Sequence, residues 1–242
     1  VKSDYNGKIF HQKFIIKDKD EVLTGSTNFT VTGTSKNHNH IAIVRNKDVV
    51  KAYINEYKEI LVGRFGKYSN TTQKPIETRS DSVRLKPLFA PNHNPEMEIM
   101  KQMAKAKERI DFAIFTFAES SGIDDQMNLN VRANVSVNGL INGDQRNSQW
   151  SASRYLDKNI AIKFTNKGQK GLGKLHHKLM VIDKKVVIIG SFNYTQPANL
   201  LNDENIIIIG DIEEETPTGK ENQSLLAEYA FNEIVRIKKE FT

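Results

Sequence analysis

The chain has 242 residues, enough for one compact domain or two closely packed repeats, and 38% of them are hydrophobic and 26% charged. A chain of this size and composition builds its core without a staple, and the absence of cysteine excludes disulfides and thiolate metal sites while leaving the redox compartment open. The net charge of +6 favours polyanionic partners, no apolar run approaches the ~20 residues of a membrane span, and the first ten residues carry no signal-peptide pattern.

In chain order, the first structured stretch is FHQKFIIKDKDEVLTGSTNFT (10–30). The residues before Asp18 read as a strand, on which His11 and Lys13, two apart, share a face. A returning strand ends in Gly25-Ser26-Thr27-Asn28, where glycine permits a tight bend or close approach. IAIV (41–44) reads as a buried strand. An amphipathic helix follows, with Val49, Val50, Tyr53, Ile54, Tyr57, Ile60 and Leu61 as its core stripe. The polar, aperiodic stretch 66–84 reads as a linker. Asn94 and Pro95 then predict an N-cap and first-turn proline, opening a helix whose Met97, Met100 and Met103 are core. ERIDFAIFTF (108–117) and VSVNGL (135–140) predict strands. The segment 138–156 is expected near the mouth of a site, with Trp150 and Tyr155 available for stacking or for packing.

Eight lysines fall between 158 and 185, opposed only by Asp183. Within them TNKGQKGLGK (165–174) is a basic loop, and its Lys170 and Lys174 are candidates for gripping a phosphate backbone. A solvated lysine-rich loop is the competing reading.

LHHKLMVIDKKVVIIGSFNYT (175–195) then repeats the first stretch, 165 positions on and without a gap. His11, Lys13, Asp18, Gly25, Ser26 and Asn28 map to His176, Lys178, Asp183, Gly190, Ser191 and Asn193. Packing preserves apolar alternation; it does not preserve His, Lys and Asn in register. The repeat continues through IIII (206–209) and a helix with Leu225, Leu226, Tyr229, Ala230, Ile234 and Ile237, again assigned to the core. The units are therefore 1–65, the linker 66–84, and 85–242. Only ten residues precede the first histidine where about ninety precede the second, so we expect the full protein to begin before Val1.

Each copy can place an imidazole, an ammonium, a hydroxyl and a carboxamide around one point. Lysine binds phosphate as a point charge, and serine and asparagine donate to non-bridging oxygens as charge develops. One histidine can attack phosphorus while the other protonates the leaving oxygen. HxK-x4-D followed by GSxN, twice in one chain, resembles the phospholipase D superfamily. The resemblance spans 8–45 and roughly 85–240 and implies an α/β fold: two pseudo-twofold repeats, β-sheet flanked by helices in an α-β-α sandwich. It also implies a phosphohistidine intermediate and no cofactor. Asp18 and Asp183 match the motif aspartates and are expected to be structural and ion-paired.

A carboxylate downstream holds the catalytic histidine in many such proteins. Glu204 lies 28 residues after His176, and Asn39 lies 28 after His11. The expectation is that Glu204 sits beside His176, keeping it protonated as general acid. Asn39 would sit beside His11 and leave it neutral as the nucleophile. His38 and His40 are expected to face outward from Asn39, His177 opposite to His176, and His93 in a loop. No cluster completes a metal site. The expected activity is metal-independent phosphodiester cleavage with nucleic acid as substrate. A phospholipase or phosphatidyltransferase acting on phospholipid is the alternative, and a weakly active nucleic-acid-binding protein a further one. Two motifs in one chain allow a monomeric active site, and dimerisation stays open.

Overall fold

The two copies of the motif fold into two equivalent hairpins. In the computed structural model, which describes residues 3–4, 7–69 and 74–242, the strands are β1 (Phe14–Lys17), β2 (Glu21–Gly25), β3 (Ile41–Val44), β4 (Thr78–Ser80), β5 (Val83–Ala90), β6 (Arg109–Ile114), β7 (Ser136–Ile141), β8 (Ala161–Phe164), β9 (Lys178–Ile182), β10 (Val186–Gly190) and β11 (Glu204–Ile209). The helices are α1 (Val31–Ser35), α2 (Lys47–Leu61), α3 (Pro95–Ala104), α4 (Ile123–Arg132), α5 (Gln196–Leu200) and α6 (Pro217–Phe241). β1-β2-β3 form an antiparallel sheet, and their mates β9, β10 and β11 pair in the same order inside an eight-stranded sheet, β4-β5-β11-β10-β9-β6-β7-β8. β6 runs parallel to β7 and β7 to β8, with α4 as the first crossover.

Both motif hairpins turn through the aspartate. Asp18 and Lys19 have φ of 53° and 60°, and Asp183 and Lys184 have 51° and 50°. Positive φ at two successive turn residues matches the right-handed twist of the flanking strands, and Asp tolerates it.

The large sheet is covered on both faces, which explains its unbroken apolar runs. Side chains alternate along β11: Ile206 and Ile208 enter one core with α3 and α4, while Ile207 and Ile209 enter a second with α2 and α6. The second core is shared by the repeats, since Val22, Val49 and Tyr53 pack there with Val187, Ile189 and Ile207. The fold is α/β, a central sheet flanked by helices.

Several expectations about burial change. IAIV is half exposed: Ile41 and Ile43 are 53% and 58% accessible, where their mates Ile206 and Ile208 are 2% and 0%. The mates lie under α3 and α4; among the described residues nothing equivalent covers β3. On α6, Leu225, Leu226 and Tyr229 are exposed, because Ala227, Ile234 and Ile237 define the inward face and Leu225 sits half a turn away. Tyr57, Leu61 and Met97 are likewise at the surface. The stretch read as a linker holds β4 and the start of β5, which extend the large sheet, while residues 70–73 of it lie outside the described residues, as do 1–2 and 5–6 of the first unit. Asn94 caps α3 through its side chain and Pro95 opens it, as the sequence predicts.

Candidate active site

The candidate site residues meet where the two repeats touch. The backbone seam has two equivalent halves. The His11 amide donates to the Asp203 carbonyl at 2.9 Å and the Asp203 amide to Ile9 at 3.1 Å; the His176 amide donates to His38 at 2.8 Å and His38 to Lys174 at 2.9 Å. Adding 165 to one partner and subtracting it from the other converts one half into the other. The contact is isologous, like that of a C2 dimer, but within one chain.

This symmetry exchanges the histidine partners. His11 Nδ1 lies 2.7 Å and 2.9 Å from the two Glu204 carboxylate oxygens. His176 Nδ1 lies 2.8 Å from Asn39 Oδ1 and 3.0 Å from the Ser26 carbonyl. The expected pairing of Glu204 with His176 and Asn39 with His11 is therefore wrong. Each histidine is held by the other repeat, because the seam sets the histidine of one repeat against the holder of the other.

Each holder is fixed by the serine of its own GSxN turn. Ser191 donates to Glu204 at 2.6 Å and Ser26 to Asn39 at 3.0 Å, and each serine oxygen accepts the next amide, from Asn205 and His40, at 3.0 Å. The preceding glycine is required by close approach: a Cβ on Gly25 would come within 2.2 Å of the His40 carbonyl oxygen, and one on Gly190 within 2.1 Å of that of Asn205. Asn39 donates its amide to Gly33 at 2.8 Å, which leaves its oxygen for Ser26 and His176.

Both imidazoles thus have Nδ1 facing acceptors, so in the neutral ring each carries its proton there and leaves Nε2 free. The lysines stand beside them. Lys13 donates to the His11 carbonyl at 2.5 Å; Lys178 lies 3.1 Å from the His176 carbonyl and 3.3 Å from His176 Nε2. Burial lowers Lys13 to about 8 against an upward pull from Glu204, and burial with the Lys13 charge lowers Lys178 well below its ordinary value. His176 falls to about 2, through burial first and then the charges of Lys178 and Lys13. Burial and mutual repulsion thus disfavour the charged forms of Lys13, Lys178 and His176 together, a strain that a bound anion would relieve.

The remaining predicted residues divide. Asn193 stands part-buried beside Ser191 and its Oδ1 is a buried atom with no hydrogen-bond partner, and Asn28 is part-buried at the matching position. Asp183 accepts three backbone amides, from Lys107, Glu108 and Arg109 at 2.7, 2.9 and 2.8 Å, so it anchors β6 and is not ion-paired as expected. Asp18 is exposed. Lys174 reaches over the Phe115 ring at 5.2 Å, whereas the Lys170 ammonium is 3.8 Å from Glu240 of α6. Trp150 and Tyr155 are both about half exposed, at 47% and 53%. Among the described residues no cluster of three metal-ligating side chains exists.

Sequence reasoning passed over Phe115. Its ring lies 4.6 Å from that of His176 and under the Lys178 ammonium at 5.0 Å. Only its place at the end of a strand marked it. His40 also departs from expectation: it does not face outward but stacks on buried His177.

Comparison with known proteins identifies the family. The model of the family described as cardiolipin synthase, PLD-like domain, matches residues 1–61 and 99–221. The chain is 26% identical over 123 residues to a mitochondrial cardiolipin hydrolase of Chlamydomonas reinhardtii, covering 50% of this chain and 53% of that protein. It is 32% identical over 125 residues to a phospholipase D of Rickettsia conorii, covering 52% and 60% respectively. The chain thus spans just over half the length of these relatives. Two solved structures share the fold: NucT from Helicobacter pylori, with TM-score 0.55, 18% identity and 66% of this chain against 98% of that one, and phosphatidylserine synthase of Haemophilus influenzae Rd KW20, with TM-score 0.71, 14% identity and 97% against 63%. With a family model matching well over half of its length, and both histidine–lysine–asparagine motifs meeting at one seam, the chain belongs to the phospholipase D-like family.

Proposed function

We propose that the chain is a phosphodiesterase that works through a phosphohistidine and cleaves nucleic acid. The carrying observation is the exchanged pair of histidines, His11 on Glu204 and His176 on Asn39, with Lys13 and Lys178 beside them. Nε2 of His11 attacks phosphorus, and the bond to the leaving oxygen breaks as His176 donates its proton there. Phosphorylation makes the His11 ring cationic, and the Glu204 carboxylate compensates that charge. His176 then takes a proton from water, whose oxygen attacks phosphorus and breaks the P–N bond. Lys13, Lys178, Asn28 and Asn193 hold the non-bridging oxygens. Burial and the two ammonium charges disfavour the cationic form of His176 without substrate; the bound phosphate offsets those charges and lets Nε2 take up the proton it donates.

Nucleic acid as substrate is supported by the net charge of +6, by Lys174 over Phe115 at the site, and by exposed Trp150 and Tyr155 as stacking surfaces. A phospholipid substrate is the second reading. It is favoured by exposed Ile9 and Phe10 immediately before His11.

The test is cleavage in EDTA of labelled single-stranded DNA, duplex DNA, RNA and phosphatidylcholine vesicles by wild type, His11→Ala and His176→Ala. Nucleic-acid cleavage that survives chelation and disappears in both variants is expected. Cleavage of vesicles alone replaces the substrate class; activity that needs metal overturns the mechanism. Radiolabel retained on His11, and not on His176, after quenching assigns the nucleophile.

A further inference from the structure

Behind the second half-site two imidazoles meet that the proposed mechanism does not use. His40 follows Asn39, which holds His176, and His177 follows His176 itself. Their rings stack with centroids 5.4 Å apart and planes at 17°, Nδ1 facing Nδ1 at 3.1 Å. One of those nitrogens must carry the hydrogen and the other must accept it. The neighbours decide which. The Gly190 amide donates to His40 Nε2 at 3.1 Å, so that nitrogen is an acceptor, and a neutral His40 carries its proton on Nδ1. His177 Nδ1 then accepts, which puts the His177 proton on Nε2, 3.6 Å from Glu233 Oε1 on α6. Glu233 is in turn held by Arg236 at 2.7 and 2.8 Å. The hydrogen bonds run one way, from Gly190 through His40 to His177, and His177 Nε2 beyond them faces Glu233 without a hydrogen bond.

The chain touches both sides of the proposed acid. His40 and His177 are the backbone neighbours of Asn39 and His176, and Gly190 precedes Ser191, which holds Glu204. We propose that His40 and His177 are positioning residues: as a neutral pair with these tautomers they hold the Asn39–His176 contact and the Gly190–Ser191 turn in register, and protonation of the pair releases both. This rests on the phosphodiesterase reading only for its effect on turnover.

The other half of the seam is built without an imidazole pair. The mates of His177 and His40 are Gln12 and Asn205. Gln12 donates to Glu56 at 2.5 Å, and Asn205 Oδ1 accepts from Thr24 at 2.7 Å and Tyr53 at 3.1 Å. The two amides carry no titrating proton themselves, and the titrating group on that side is the Glu56 carboxyl, which burial raises to about 7. At the histidine pair, Lys178, His176 and Arg236 oppose an added proton and Glu233 favours it, with burial opposing first at both rings. A proton gained in acid turns the Nδ1–Nδ1 contact into a facing pair of N–H groups, which cannot stay at hydrogen-bond distance.

Histidine-selective 15N NMR on the wild-type chain near neutral pH tests the pair without reference to activity. Protonated Nδ1 on His40 and protonated Nε2 on His177 are expected. The opposite tautomers, or a charged ring in the pair, overturn the proposal. The functional test exchanges the pair for its mates, His40→Asn with His177→Gln, and follows kcat on bis(p-nitrophenyl) phosphate from about pH 7 down to about pH 4, because burial pushes both rings below the ordinary histidine value. The variant is expected to keep roughly threefold more of its neutral kcat at the acid end than wild type does. Superimposed profiles would overturn the positioning role. His177→Gln alone serves if the double variant does not fold. Absence of wild-type turnover on every phosphodiester sinks the activity reading, while the NMR result still judges the pair.

Discussion

Glu204 and His11 are separated by 193 residues in sequence and by 2.7 Å between carboxylate and imidazole. Glu204 is fully buried, yet it accepts from His11 and Ser191, and these two contacts set the His11 tautomer. Glu204→Gln keeps the shape and loses the charge that compensates a phosphorylated ring. Turnover is expected to fall ~100-fold or more with KM little changed, by analogy with other carboxylate–histidine pairs. Steady-state kinetics on a chromogenic diester checks this; a fall in KM-dependent binding alone would mean that Glu204 only shapes the site.

Asn39→Asp places a second carboxylate against the other imidazole. His176, now held to about 2 by burial and by Lys178 and Lys13, is expected to bind its proton about one to two pH units more readily. NMR titration of the His176 ring reads this directly. If His176 is the acid, the pH optimum for cleavage moves upward with it.

Lys13 sits near 8 because burial outweighs the pull of Glu204. It is charged at neutral pH and loses its charge as pH rises through that value. Affinity for an oxyanion inhibitor such as vanadate is therefore expected to weaken about tenfold between about pH 7 and pH 9. In Lys13→Met it should be weak throughout and lose that part of its pH dependence.

Glu56 lies under the first half-site, bonded to Gln12, and burial raises it from 4.5 to about 7. A carboxyl with a raised folded value contributes stability that is complete below its unfolded value and is lost as pH rises through the folded one. Glu56→Gln removes that loss. Relative to wild type, the variant should gain stability from about pH 5 to about pH 8, by at most ~3 kcal/mol. Denaturant unfolding at both pH values measures the difference; an equal offset at both would show that Glu56 stays ionised in the fold.

The repeat, its strands and the identity of the His, Lys, Ser and Asn sets were readable because polar residues kept a constant offset of 165. The α3 cap was readable because Asn94 and Pro95 act locally. Partner choice was not. Glu204 lies at the same spacing from His176 as Asn39 from His11, and that spacing is identical whether the holders act within or across repeats. Helical spacing likewise could not say which side of α6 faces inward: Leu225 and Ala227 are both apolar, and only the packing of α6 against the large sheet makes Ala227 the buried one. His40 and His177 looked solitary because the residue that completes each lies 137 positions away.

The exchanged holders also determine how the chain behaves if cut. Severed between the repeats, the N-terminal piece carries His11 without Glu204 and the C-terminal piece carries His176 without Asn39. Neither piece owns a complete histidine couple, so activity would reside only in the reassociated pair. Its rate should then fall with the square of dilution, whereas that of the intact chain falls in simple proportion.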